Sequence, residues 1–265
     1  MKKSLALLFV FGCALLCALP LAAQSGSLNA MSLNGVTGLY VVPTGRIGWK
    51  DVSTGFNAGY HMNFLDDKLE DLFQANVSLF NWVEIAAAYA GEPYDNDDDL
   101  LMGVKVQLPV SAAAIAVGGN LHYSDLGRSG DHFAMQLYGA VTYTAEFFGM
   151  PADTTLMAGK TFYEGGNIDS SIDFGMGFDL VVLPQYLDSF VHWIVDFSNF
   201  GYSQGNSDAS FQAYHRGAVN TGLRIDMSQI PVFEKFNFVI DAYITDAFDS
   251  GSRHFGLGAS FGMSF

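Results

Sequence analysis

Between positions 52 and 64 the chain alternates with a period of two. Val52, Thr54, Phe56, Ala58, Tyr60, Met62 and Phe64 fall on one face, and Ser53, Gly55, Asn57, Gly59, His61 and Asn63 on the other. Successive side chains of a strand point to opposite faces, so the stretch predicts a strand with one oily face and one small, polar face. The same code recurs over 72–80, 83–90, 100–108, 113–123, 133–144, 155–163, 172–183, 190–197, 214–226, 236–245 and 254–265. That is about twelve strands, each near the length a tilted strand needs to cross a hydrocarbon layer. The predicted fold class is all-β: a transmembrane, antiparallel, up-and-down β-barrel with its oily face towards lipid and its small face towards the lumen.

The connections sort into two kinds, which checks the strand count independently. One set carries Asn81-Trp82, Pro109, Pro151, Pro184 and Pro231, the residues of short turns that stop a strand. The other set is acidic or glycine-rich, over 66–71, 91–99, 125–131, 164–170, 199–210 and 246–253. A miscounted strand would mix the two. Aromatic residues gather near strand ends (Phe64, Trp82, Tyr89, Tyr123, Tyr143, Phe255), as interfacial girdles do.

The final strand alternates Phe255, Leu257, Ala259, Phe261, Met263 and Phe265 with glycine and serine. A chain ending on an aromatic residue within such a strand resembles the outer-membrane β-barrel proteins of Gram-negative bacteria. The resemblance implies two partners, the outer-membrane lipid and the barrel-assembly machinery that recognises an ending like Phe265. The other terminus fits export: Lys2 and Lys3 precede an apolar run to Leu21, interrupted by Pro20 and followed by Ala22-Ala23. This predicts a signal peptide over 1–23, a lead-in over 24–50 and the barrel over 51–265. Both cysteines, Cys13 and Cys17, leave with the signal peptide, so the mature chain has no disulfide or thiolate chemistry.

The lead-in contains an apolar run, Val36 to Val42, closed by Pro43 and Gly45. It predicts a short strand lying in the lumen or against the periplasmic rim, since a thirteenth wall strand would make the number odd. Gly35, Gly38, Leu39 and Pro43, extending to Arg46 and Ile47, resemble the opening motif of the YjbH-like outer-membrane family. That resemblance implies an accessory role in exopolysaccharide export.

Charge narrows the functional classes. A formal net charge of −15 excludes nucleic acid as a natural partner and favours cations over anions in a channel. Strand parity places Glu84, Lys105, Asp173, Asp179, Asp196, Arg216, Arg224 and Asp241 on the lumen face, where they line a pore or pair with one another inside a filled barrel. Glycine and alanine at other inward positions, such as Gly59, Ala86, Gly175, Gly177 and Gly258, leave volume for a narrow path suited to small solutes.

His61, His122, His132, His215 and His254 fall near the outer ends of their strands, and closure brings His61 towards His254. They are weak candidates for a transition-metal site and read first as polar rim residues. The acidic run Tyr94 to Asp99 offers oxygen ligands but lacks calcium-loop spacing. No cofactor is expected, and no local motif of a barrel hydrolase is present. The expectation is a porin-like passive channel in the cell outer membrane with weak cation preference; a structural or adhesive barrel is the alternative.

Overall fold

The computed structural model describes residues 30–49, 52–65, 68–92, 95–110, 113–124, 132–163, 172–187, 189–201, 217–230, 236–249 and 253–265, with backbone alone at 65, 68, 92, 95–97, 124, 132, 163 and 229. The proposed signal peptide lies outside them.

Twelve strands run in chain order: β1 (Thr54–Leu65), β2 (Lys68–Leu79), β3 (Val83–Glu92), β4 (Asp95–Leu108), β5 (Ala114–Ser124), β6 (His132–Phe147), β7 (Met150–Tyr163), β8 (Asp173–Val181), β9 (Val191–Ser198), β10 (Ala218–Asp226), β11 (Phe236–Thr245) and β12 (His254–Ser264). Each pairs antiparallel with its sequence neighbours, and β1 pairs with β12, closing the barrel. The seam runs from Gly55 opposite Ser264 to Phe64 opposite Phe255. Closure leaves no strand edge, which is what a sheet needs to stand in hydrocarbon.

Alternation sorts the faces as the sequence predicts. Phe56, Ile85, Val104, Leu137, Phe174, Leu223 and Phe261 are exposed on the outside, whereas Asn57, Ala86, Lys105, Gln136, Arg224 and Ser260 are buried inside. A closed cylinder with an apolar exterior and a polar interior is a transmembrane β-barrel of the outer-membrane type. At the turn end lie the β2–β3, β4–β5, β6–β7, β8–β9 and β10–β11 connections and both ends of the barrel chain, where the Phe265 N–H donates to the Thr54 carbonyl (2.8 Å). The β8–β9 connection holds a one-turn helix, α1 (Pro184–Leu187). The remaining connections form the loop end.

Three boundaries differ from the sequence expectation. β6 and β7 run on to a two-residue turn at Phe148-Gly149, with Glu146 still opposite Pro151. Phe148 (φ 51°) and Gly149 (φ 74°) both adopt positive φ, as tight hairpins require. Pro151 therefore sits at the start of a strand rather than in a turn. The acidic connections are also shorter than predicted: Glu70 and Asp71 belong to β2, and the Asp95–Asp99 run opens β4. The predicted strand over Val36 to Val42 is absent; that segment makes only isolated bridges, Met31 with Thr37 and Gly38 with Pro43.

Candidate functional site: a plugged lumen

Residues 30–49 lie inside the barrel. Val36, Val42, Tyr40, Leu39 and Ile47 are 0–2% exposed, and Leu33, Leu39, Tyr40, Val41 and Val42 form one apolar cluster with the inward-facing Leu72, Leu101, Met157, Ile194 and Tyr243. The segment, hereafter the plug, folds on itself. Leu33 N–H donates to the Tyr40 carbonyl (2.8 Å), Leu39 N–H to the Val42 carbonyl (3.0 Å) and Gly38 N–H to the Ala30 carbonyl (3.0 Å).

An irregular buried segment cannot satisfy all its own backbone groups, and each one left unpaired costs free energy. Wall side chains complete the set. The Glu84 carboxylate accepts from the N–H groups of Thr37 (2.7 Å) and Gly48 (2.8 Å) and from the Thr37 hydroxyl (2.5 Å). Asp196 accepts from the N–H groups of Val41 (2.7 Å) and Val42 (3.1 Å) and from the Asn220 amide (2.6 Å). Arg224 donates to the carbonyls of Gly38 (2.7 Å), Met31 (2.9 Å) and Leu39 (3.1 Å). Lys105 donates to the Thr37 carbonyl (2.7 Å). Neutral groups add to this: Gln74 reaches the Ser32 carbonyl, Asn76 the Gly35 carbonyl, and Gln107 accepts from Ile47 N–H.

Four of the predicted lumen charges, Glu84, Lys105, Asp196 and Arg224, thus converge on the plug. Asp241 supports them, accepting from Arg224 Nε (2.6 Å) with its other oxygen 3.3 Å from His61 Nε2. The Arg224 guanidinium also lies 4.9 Å above the Tyr40 ring, which packs 4.8 Å from Tyr243. Asp173 and Asp179 stand apart. Asp173 accepts from Gln136 (2.9 Å) and Thr161 (2.6 Å), while Asp179 is 2.6 Å from His192 Nδ1. Arg216 and His215 lie outside the described residues.

The volume that small inward residues leave is occupied. A Cβ on Gly59 would meet Met31 Cε at 2.7 Å, on Gly103 Val36 Cγ1 at 2.6 Å, on Gly177 Leu39 Cδ1 at 2.6 Å and on Gly175 Val42 Cγ2 at 2.8 Å. Across the seam, His61 lies over Gly258 and Asn57 over Gly262, and on the other side of β12 Tyr243 of β11 lies over Gly256. The glycines make room for the plug and for neighbouring side chains.

The histidines do not assemble as expected. His61 sits opposite Gly258 and binds Asp241, so closure does not set it beside His254, which pairs with Thr245 on β11. His122 Nε2 is 2.8 Å from Asp99, and His132 is described in its backbone alone. Among the described residues no group of three potential metal ligands forms. Sequence reasoning cited Arg46 only within the opening motif and passed over its partners at the turn end, where its Nη2 is 3.1 Å from Asp153 and 2.7 Å from the Thr144 hydroxyl. It also passed over Leu72, Leu101, Met157 and Ile194. Their signal was an apolar residue at an inward position, which a water-filled lumen would not favour.

No family model matches the chain, and no curated protein matches it in sequence. Neither comparison supports the likeness of positions 35–47 to the YjbH-like opening motif. Among solved structures, the chain is similar to the outer membrane protein Omp33 of Acinetobacter baumannii (TM-score 0.48, 9% identity, 82% of this chain and 100% of that one). It is similar also to the KdgM porin (TM-score 0.48, 8% identity, 79% and 99%). A third is the COG4313 outer membrane channel of Pseudomonas putida F1 (TM-score 0.44, 9% identity, 92% and 100%).

Proposed function

We propose that the protein is a porin-like outer-membrane channel for small solutes, closed by the plug and cation-preferring when open. One observation carries the reading: the twelve-strand wall closes without the plug, and each plug-to-wall hydrogen bond described above has a wall side chain as one partner. A segment held by side chains can leave without breaking the sheet. Once it leaves, the path is lined by small residues and by carboxylates, which outnumber Lys105 and Arg224 among the described buried residues. Such a lining favours cations. In this reading the turn end faces the periplasm.

The test is a planar-bilayer recording of the full-length protein beside a variant lacking residues 30–49. Low conductance is expected from the first and a sustained, cation-preferring conductance from the second. A plugless barrel with native strand content and no conductance would overturn the channel reading and leave a structural or adhesive barrel.

A further inference from the structure

We infer that the lumen wall is a peptide-binding site, and that the plug is its ligand: a compact, turn-forming peptide recognised through its backbone and able to bind without a covalent tether. The inference shares with the channel reading the premise that the plug can leave, but it does not depend on conduction.

Three observations point to a ligand rather than to a piece of the wall. First, the plug carries its own fold. Besides the bonds already described, Gly35 N–H donates to the Ser32 carbonyl, Ser32 N–H and hydroxyl both donate to the Val36 carbonyl, and Val36 N–H donates to the Asn34 side chain. Thr44 N–H and hydroxyl both donate to the Thr37 carbonyl. A peptide with internal bonds of this kind loses less freedom on docking than an extended one.

Second, recognition is directed at main-chain atoms. Glu84 and Asp196 each grip a pair of N–H groups, and Arg224 spreads over three carbonyls. All three wall side chains are 0–2% exposed. Ionised groups make the stronger hydrogen bonds, and these are aimed at atoms that any peptide presents. Specificity comes instead from shape. Gly35 has φ +87° and lies where a Cβ would meet the Ala87 carbonyl oxygen at 2.8 Å; a Cβ on Gly45 would meet the Ala114 carbonyl oxygen at 2.1 Å.

Third, the plug lacks charge of its own where it is most deeply held. From Ala30 to Gly45 it carries no ionisable acid or base except the Tyr40 phenol. The wall supplies every ion at the interface there, so the ligand class is a short, neutral, glycine-containing peptide. Arg46 begins the tail at the turn end.

The experiment keeps the whole chain through folding. A protease site placed between Trp49 and Val52 is cut after the barrel has folded in detergent, and a labelled synthetic peptide of residues 30–49 is then added. The cut plug should stay with the barrel through gel filtration, and excess labelled peptide should exchange into it, read as a rise in fluorescence anisotropy. Uncut protein should take up none. Peptides carrying Gly35→Ala or Gly45→Ala should compete at least about tenfold less well, because each adds a contact that the wall backbone cannot yield to. A cut plug that departs at once with no uptake of labelled peptide would overturn the inference, since the tether alone would then hold it. A cut plug that never exchanges would overturn it as well, marking the segment as fixed core. Exchange without conductance would retire the channel reading and leave the peptide site standing.

Discussion

The Glu84 carboxylate lies 3.2 Å from the Lys105 ammonium, with both side chains 0% exposed, and both also bind one plug residue, Thr37. The two sit opposite each other on β3 and β4, so the wall itself aligns them. Plug and ion pair satisfy one another: the plug supplies the hydrogen bonds that a buried pair needs to offset its desolvation.

Breaking that pair from one side should therefore be costly. Glu84→Ala or Lys105→Met alone is expected to destabilise the barrel by about 3–5 kcal/mol, because each strands an ion in the interior. The double variant Glu84→Gln, Lys105→Met should recover much of the loss. Denaturant unfolding in detergent reads both, and a single-variant cost below about 1 kcal/mol would contradict a tightly held pair.

Gly45→Leu should expel the plug while leaving the wall intact. Only a hydrogen fits between Gly45 and the backbone of Ala114. The expected result is native strand content by circular dichroism together with the conductance of the plugless barrel. Unchanged low conductance would mean that the plug can shift within the lumen.

Asp179→Asn with Asp196→Asn should lower cation preference in the open, plugless barrel, measured as a shift in reversal potential under a salt gradient. Asp196 lies at the plug and Asp179 beside His192, so the two separate sites remove charge from different parts of the path. Unaltered selectivity would place the conducting path away from both.

Arg46→Ala should matter far less than Gly45→Leu. The Arg46 side chain is 24% exposed and its bridge to Asp153 stands at the turn end. Partly solvated pairs contribute about 1 kcal/mol or less and weaken with salt. A loss of plug retention no greater than about tenfold, smaller still at high ionic strength, is the expected outcome in the peptide-exchange assay.

The lipid-facing parity is testable through Val104 and Leu137, 49% and 50% exposed on the outer surface. Substituting arginine at either is expected to cost roughly 2–4 kcal/mol near mid-depth when stability is measured in lipid vesicles. A negligible cost at both would move them away from the membrane core.

The wall was legible because a membrane barrel imposes one rule on every strand, and residues such as Phe56 beside Asn57 obey it without reference to distant parts of the chain. Its boundaries were harder to read. Pro151 signals a break by composition, yet the turn is made by the positive φ of Phe148 and Gly149 and the ladder passes through the proline. The plug was legible only as a segment left without a strand partner. What holds it is a set of side chains, Glu84, Asp196 and Arg224, far apart in sequence. Parity shows that they face inward but not which backbone atoms they meet. Leu101 and Ile194 carried the missing information, since buried apolar side chains on a lumen face imply something apolar to touch.

The plug also bears on how the cylinder comes to close. The seam joins the first strand to the last, so its ends must meet across nearly the whole barrel sequence, and loop-closure entropy opposes that before any ladder bond forms. Residues 30–49 touch β3 through Glu84 on one stretch of the wall and the adjoining β9 and β10 through Asp196 and Arg224 on another. A strut that draws those walls together shortens the distance over which the two terminal strands must find each other. If those contacts form before the seam, the segment that blocks the finished lumen also serves as a mandrel for the sheet, and refolding of a barrel lacking residues 30–49 should then be slower than that of the full chain.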